Sequence, residues 1–169
     1  MQNKKYISPL VVGFAAGILS IVPVIKSLGC CLLIPVAAFI ALMLEQKANS
    51  DFSKLEIKKG VIFGLITGVT AALFGTFFDF AITIITRNND LVTAFPQLVE
   101  TINKFPVDEA TKQEVLSLLG GVIESIKISG FSLLYTLSLL FNNLFSYSVF
   151  GMLGGIIGVQ ILNSRNNQK

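Results

Sequence analysis

Hydrophobic and polar positions along this chain fall into long blocks, not into an alternation. No charge interrupts residues 6–25, between Lys5 and Lys26, and none interrupts residues 27–44, which end at Glu45. A third block, Gly60 to Thr86, carries a single charge, Asp79, set among phenylalanines in "TFFDFAI". The fourth, Ile128 to Ser164, carries none. A helix that crosses a bilayer needs about 20 apolar residues, so each block can hold one. The pattern predicts an all-α polytopic membrane protein with four transmembrane helices, over about residues 7–25, 28–44, 61–86 and 143–162. The polar "FNNLF" at 141–145 places the start of the last near Asn143.

The segment between the third and fourth spans, about 87–127, has a different rhythm. "DLVTAFPQLVETINKF" sets Leu91, Phe95, Leu98, Val99 and Ile102 on one helical stripe. "TKQEVLSLLGGVIESIKI" does the same with Val115, Leu118, Leu119, Val122, Ile123 and Ile126. Thr111 and Glu114 have capping-box spacing at its start. Two amphipathic helices separated by "FPVDEA" are expected, lying on the bilayer surface or over the bundle. Their apolar faces are read as packing on the chain's own spans before any partner.

Composition agrees with lipid as the outer solvent: 53% of residues are hydrophobic, 14% are charged, and the mean hydropathy is +0.74. A soluble domain carries nearer a quarter charged residues. The net charge of +3 is spread over short segments, which excludes the concentrated basic patch that nucleic acid requires. The chain has no histidine, and no histidine-based metal or acid–base chemistry follows. The apolar run of the N-terminus is long for a cleaved signal and lacks a cleavage site before a polar start, so it reads as a retained first span. Lys4, Lys5, Lys47, Lys54, Lys58, Lys59, Arg165 and Lys169 crowd one side of the membrane. Lys26, Arg87, Lys104, Lys112 and Lys127 are diluted on the other, which predicts cytoplasmic N- and C-termini.

Small residues recur at helical spacing: Gly13 and Gly17 in the first span, and Gly60, Gly64, Gly68, Ala71 and Gly75 in the third. Gly151, Gly154, Gly155 and Gly158 mark the fourth. Apolar attraction between helices is absent in lipid, so close backbone approach through such residues is how spans associate. At about 100° per residue the third-span set shares one sector, with Asp79 at its edge. Asp79 is therefore expected to point toward a neighbouring helix or a cavity. Asn143 and Tyr147 are the polar groups expected to meet it, level with Pro23, Lys26, Cys30 and Cys31. Two roles are open for this cluster: a hydrogen-bonded lock on helix register, or a titrating site in transport of a proton or small cation.

The two cysteines, Cys30 and Cys31, are adjacent, a spacing suited neither to metal binding nor to a disulfide within one helix. They read as packing residues. Pro23 and Pro35 predict kinks in the first hairpin. No Walker loop, dinucleotide fingerprint, zincin motif or nucleophile elbow occurs, and neither catalysis nor a cofactor or metal is expected. Through "GFAAGILSIVPVIKSLGCCLL", and through "EIKKGVIFGLITGVTAALFGTFFDF" followed by an acidic segment and a Gly-rich last span, the chain resembles bacterial families of small four-span membrane proteins of unknown function. The resemblance implies a bacterial inner-membrane location with a periplasmic outer side, and no catalytic residue. The expected role is non-catalytic association with itself or with other membrane subunits in the bilayer. The alternative is a small transporter or channel built on Asp79.

Overall fold

The computed structural model describes residues 6–22, 25–26 and 29–166. The side chains of Cys30 and Asn166, together with Pro23, Lys4, Lys5 and Lys169, lie outside the described residues, and so does whatever the sequence reading drew from them. Among the described residues the chain is all-α and contains no strand. Its helices are α1 (Ile7–Leu19), α2 (Ile34–Asn49), α3 (Ile57–Thr86), α4 (Asp90–Lys104), α5 (Glu109–Ser129) and α6 (Leu133–Asn166). A π-helical turn, Gly29–Leu33, leads into α2. Three stretches are long and apolar enough to cross a membrane: Cys31–Asn49, Ile57–Thr86 and Leu133–Arg165. They point to membrane association. α1, with 13 residues, is shorter than the roughly 20 that a span needs.

Local chemistry explains where these helices start. Pro35 sits in the first turn of α2, directly after the π-helical turn Gly29–Leu33. α6 begins at Leu133, well before Asn143, and runs unbroken through "FNNLF". The polar residues do not stop it because the Asn143 side chain is satisfied sideways, donating to Thr76 Oγ1 at 3.0 Å. α4 is capped by Asn89, whose side chain accepts from the Val92 N–H at 3.0 Å.

The cap of α5 corrects the sequence reading. Asp108, not Thr111, is its N-cap: the carboxylate accepts from the Thr111 N–H and from the Thr111 hydroxyl, each at 2.8 Å. A carboxylate accepts two such bonds at once, so the helix starts a turn earlier than a Thr–Glu capping box would place it.

The chain forms two compact units, residues 1–77 with 140–169, and residues 78–139. In the first, close contacts define the direction of every helix. α1 and α2 form an antiparallel hairpin tied by Ser8 and Glu45. Gly13 lies against Thr67 and Thr70, and Gly17 against Ala71 and Gly75, so α1 runs parallel to α3. Gly60 faces Gly155, Gly64 faces Gly151 and Gly68 faces Tyr147, so α3 and α6 are antiparallel. Gly154 meets Pro35 and Gly158 meets Phe39, which makes α6 parallel to α2. The helices thus alternate in direction around a core that includes Ile34, Ala38, Ala41, Leu42, Phe63, Ala71, Ala72 and Val159. α3 is central to this arrangement: one small-residue sector serves α6 along Gly60–Gly68 and α1 along Ala71–Gly75.

In the second unit α4 packs against α5, with Val122, Ile123 and Ile126 of α5 buried. On that helix Leu118 and Val115 are exposed. α5 ends at Gly130, whose φ of +74° is the left-handed conformation that suits glycine. A Cβ there would come within 2.8 Å of the Ile84 carbonyl oxygen, so close approach adds a second reason for glycine. Phe131 stacks edge-on to Phe80 at 5.6 Å.

Candidate functional site

Asp79 lies on α3 in the second unit and is half-buried. Its carboxylate accepts a hydrogen bond from the Tyr135 hydroxyl at 3.3 Å. Its backbone carbonyl accepts from the Thr83 hydroxyl, one turn on, at 2.8 Å. Tyr135 was not among the residues read from the sequence, because the last span was drawn from Asn143 onward. The pairing follows from α6 starting at Leu133: antiparallel α3 and α6 then carry Asp79 and Tyr135 to the same height. A phenolic hydroxyl in an otherwise apolar stretch was the available sequence signal.

Asn143 and Tyr147 belong to the first unit. Asn143 donates to Thr76. Tyr147 is buried, and its backbone carbonyl stands where a side chain on Gly68 would be. Tyr135 is a described neighbour of Asp79, Thr76 of Asn143 and Gly68 of Tyr147. Cys31 is exposed on the π-helical turn.

Two buried hydroxyls of the first unit are held by their own helices. Thr67 donates to the Phe63 carbonyl and Ser20 to the Gly17 carbonyl, both at 2.8 Å. Such back-bonding satisfies a hydroxyl in lipid or in a core without a partner from another span.

Glu45 is a second carboxylate of interest, one the sequence reading treated only as a boundary. It is 4% exposed. Its two oxygens accept from Ser8 Oγ at 3.2 Å and from Asn49 Nδ2 at 2.9 Å, which ties the start of α1 to the end of α2. Neighbouring Gln46 is equally buried, and its Nε2 has no hydrogen-bond partner among the described residues. Asn163 of α6 makes a two-point clamp on the loop before α3: Oδ1 accepts from the Leu55 N–H at 2.8 Å, and Nδ2 donates to the Leu55 carbonyl at 2.9 Å.

Two exposed carboxylates outside the long apolar helices have lowered proton affinity. Hydrogen bonds from the Ser53 hydroxyl and N–H hold Asp51 below its ordinary value. Bonds from the Thr111 N–H and hydroxyl do the same for Asp108. Both are local loop and cap effects.

No protein-family model, curated protein or solved structure matches this chain. The functional reading therefore rests on geometry.

Proposed function

We propose that this chain is a four-span protein of the bacterial inner membrane that works without catalysis, by association of its helices with one another and then with further copies or other membrane subunits. The observation that carries this is the antiparallel contact of Gly60, Gly64 and Gly68 with Gly155, Gly151 and Tyr147. It closes the centre of the bundle with backbone against backbone and leaves apolar side chains to face outward. Phe141 and Phe145 of α6, 75% and 67% exposed, are such residues one turn apart. The alternating directions of α1, α2, α3 and α6 support α1 as part of a fourth span. In that topology both termini and the loop before α3 share the cytoplasmic side, and residues 87–127 lie on the outer side.

The Tyr135 bond to Asp79 supports a register lock over a transport site, since the carboxylate has a donor from the facing helix. Flux measurements on purified protein in liposomes test the reading. Vesicles holding the wild type should be no leakier to protons, sodium or potassium than empty ones, and cross-linking in the bilayer should capture a defined oligomer or subunit complex. Cation flux that disappears in Asp79→Asn would replace this proposal with the transporter.

A further inference from the structure

Two asparagines stand side by side in α6, and the chain provides a partner for only one of them. Adjacent residues of a helix point about 100° apart, so a neighbouring helix can meet one of the pair. Asn143 turns to α3 and donates to Thr76 Oγ1 at 3.0 Å. Asn142 is exposed, and among the described residues its side-chain amide makes no hydrogen bond. Gly151, which meets Gly64 of α3, follows Asn142 by nine residues. At about 100° per residue that separation is half a turn out of phase. Asn142 therefore faces away from α3.

The direction in which it faces is apolar. Asn142 lies inside Leu133–Arg165, a stretch long and apolar enough to cross a membrane. Phe141 and Phe145, beside it on the first unit's part of α6, are 75% and 67% exposed. An amide left unpaired in an apolar medium is costly, and polar side chains within the bilayer accordingly bond across helices. Phe145, Val149 and Leu153 follow Asn142 at steps of three and four residues. That spacing is the one by which two parallel helices pack at a shallow crossing. The outward face of α6 thus combines an apolar seam with one unsatisfied donor and acceptor.

A second copy of the chain is the occupant this face specifies. Copies inserted in one orientation are related by an axis along the membrane normal, so their α6 helices run parallel. In such a symmetric pair each residue near the axis meets itself. An asparagine amide carries both an NH2 donor and an acceptor oxygen, so it complements its own copy reciprocally. We propose that the chain forms a homodimer through the outward face of α6, with Asn142 hydrogen-bonded to Asn142 of the second copy and Phe145, Val149 and Leu153 packed along the seam. The proposal rests on the associating role given above and names the partner and the surface.

The test uses the full chain in liposomes, with donor and acceptor fluorophores on separate copies and energy transfer followed as lipid is added. Wild type should dimerise. Asn142→Leu, close in size but without the amide, should raise the dimer dissociation constant about tenfold. Asn142→Gln, which keeps the amide, should retain most of the affinity. In a Cys30→Ser, Cys31→Ser background, Phe145→Cys should cross-link between copies. Leu73→Cys, exposed on α3 half a turn away from Gly64, should not. Wild type that stays monomeric at every lipid ratio overturns the proposal, and so does an Asn142→Leu dimer as tight as wild type. An equal loss in Asn142→Gln and Asn142→Leu overturns it too, because the amide would not be what counts. Cross-linking at Leu73 and not at Phe145, or assembly with a different membrane subunit and no self-transfer, overturns the α6 dimer and leaves the proposed function standing. Cation flux that depends on Asp79 is the separate result that removes the proposed function itself.

Discussion

Gly64 of α3 and Gly151 of α6 meet backbone to backbone: a Cβ on either would overlap the carbonyl oxygen of the other. A side chain facing a flexible neighbour can be accommodated by a rotamer change. Here the neighbour is peptide backbone at the centre of two long helices, and accommodation requires the helices to separate.

Gly64→Ala should therefore destabilise the protein by about 1–3 kcal/mol, the usual range for overpacking a filled interior. Gly120→Ala supplies the contrast. A Cβ at Gly120 meets nothing within 4 Å, and the residue lies inside α5, where alanine is the better helix former by about 1 kcal/mol. Reversible unfolding in mixed micelles, followed by circular dichroism, should move the two variants in opposite directions. Equal effects would show that propensity and not contact governs both sites.

Asp79 and Tyr135 should be energetically coupled. A double-mutant cycle with Asp79→Asn and Tyr135→Phe should return about 1 kcal/mol of interaction, in the range of intramembrane side-chain hydrogen bonds. Strict additivity of the two changes would mean that the 3.3 Å contact contributes nothing to stability.

Glu45 should matter more than its position at the end of α2 suggests. Glu45→Ala leaves the Ser8 hydroxyl without its acceptor and the Asn49 amide with only the Glu45 backbone carbonyl, and should cost about 1–3 kcal/mol. Glu45→Gln keeps a carbonyl acceptor and should cost less. The ranking is read from unfolding midpoints of the two variants, and a larger loss for Gln than for Ala would contradict the hydrogen-bonding account.

Asn163→Ala should free the loop before α3 without unfolding the bundle. Both backbone groups of Leu55 lose their side-chain partner, so amide exchange should rise at residues 51–56 and stay unchanged at Phe63 and Ala71. Unaltered protection of the Leu55 amide would show that the clamp is dispensable.

Asp108 should make the start of α5 sensitive to acid. Its folded proton affinity is lowered by Thr111, so the stabilisation is complete above the ordinary carboxylate range near pH 4. It is lost as pH falls through the lower folded value. Protection of the Thr111 amide, its exchange rate relative to the unstructured rate at the same pH, should fall in that window in the wild type. In Asp108→Asn, which keeps a capping oxygen but does not titrate, that fall should be absent.

Much of this molecule is legible in one dimension because helices in an apolar setting satisfy their backbone locally. Block length, charge gaps and glycine spacing are properties of contiguous sequence, and they suffice to predict long apolar helices without strands. Helix starts are less legible. The cap of α5 depended on which of two nearby side chains captured the Thr111 N–H, and α6 continued past two asparagines because Thr76 on another helix satisfied one of them. The partner of Asp79 was invisible for the same reason: Tyr135 becomes its neighbour only once the antiparallel register of α3 and α6 is set. By itself the sequence determined helix class, apolar length and the small-residue faces, since these depend on residues a few positions apart. Only the tertiary structure decided which face meets which helix, which donor reaches each buried carboxylate, and which of two adjacent asparagines finds a partner within the chain. Those outcomes depend on contacts between residues far apart in the chain, and no local pattern encodes them.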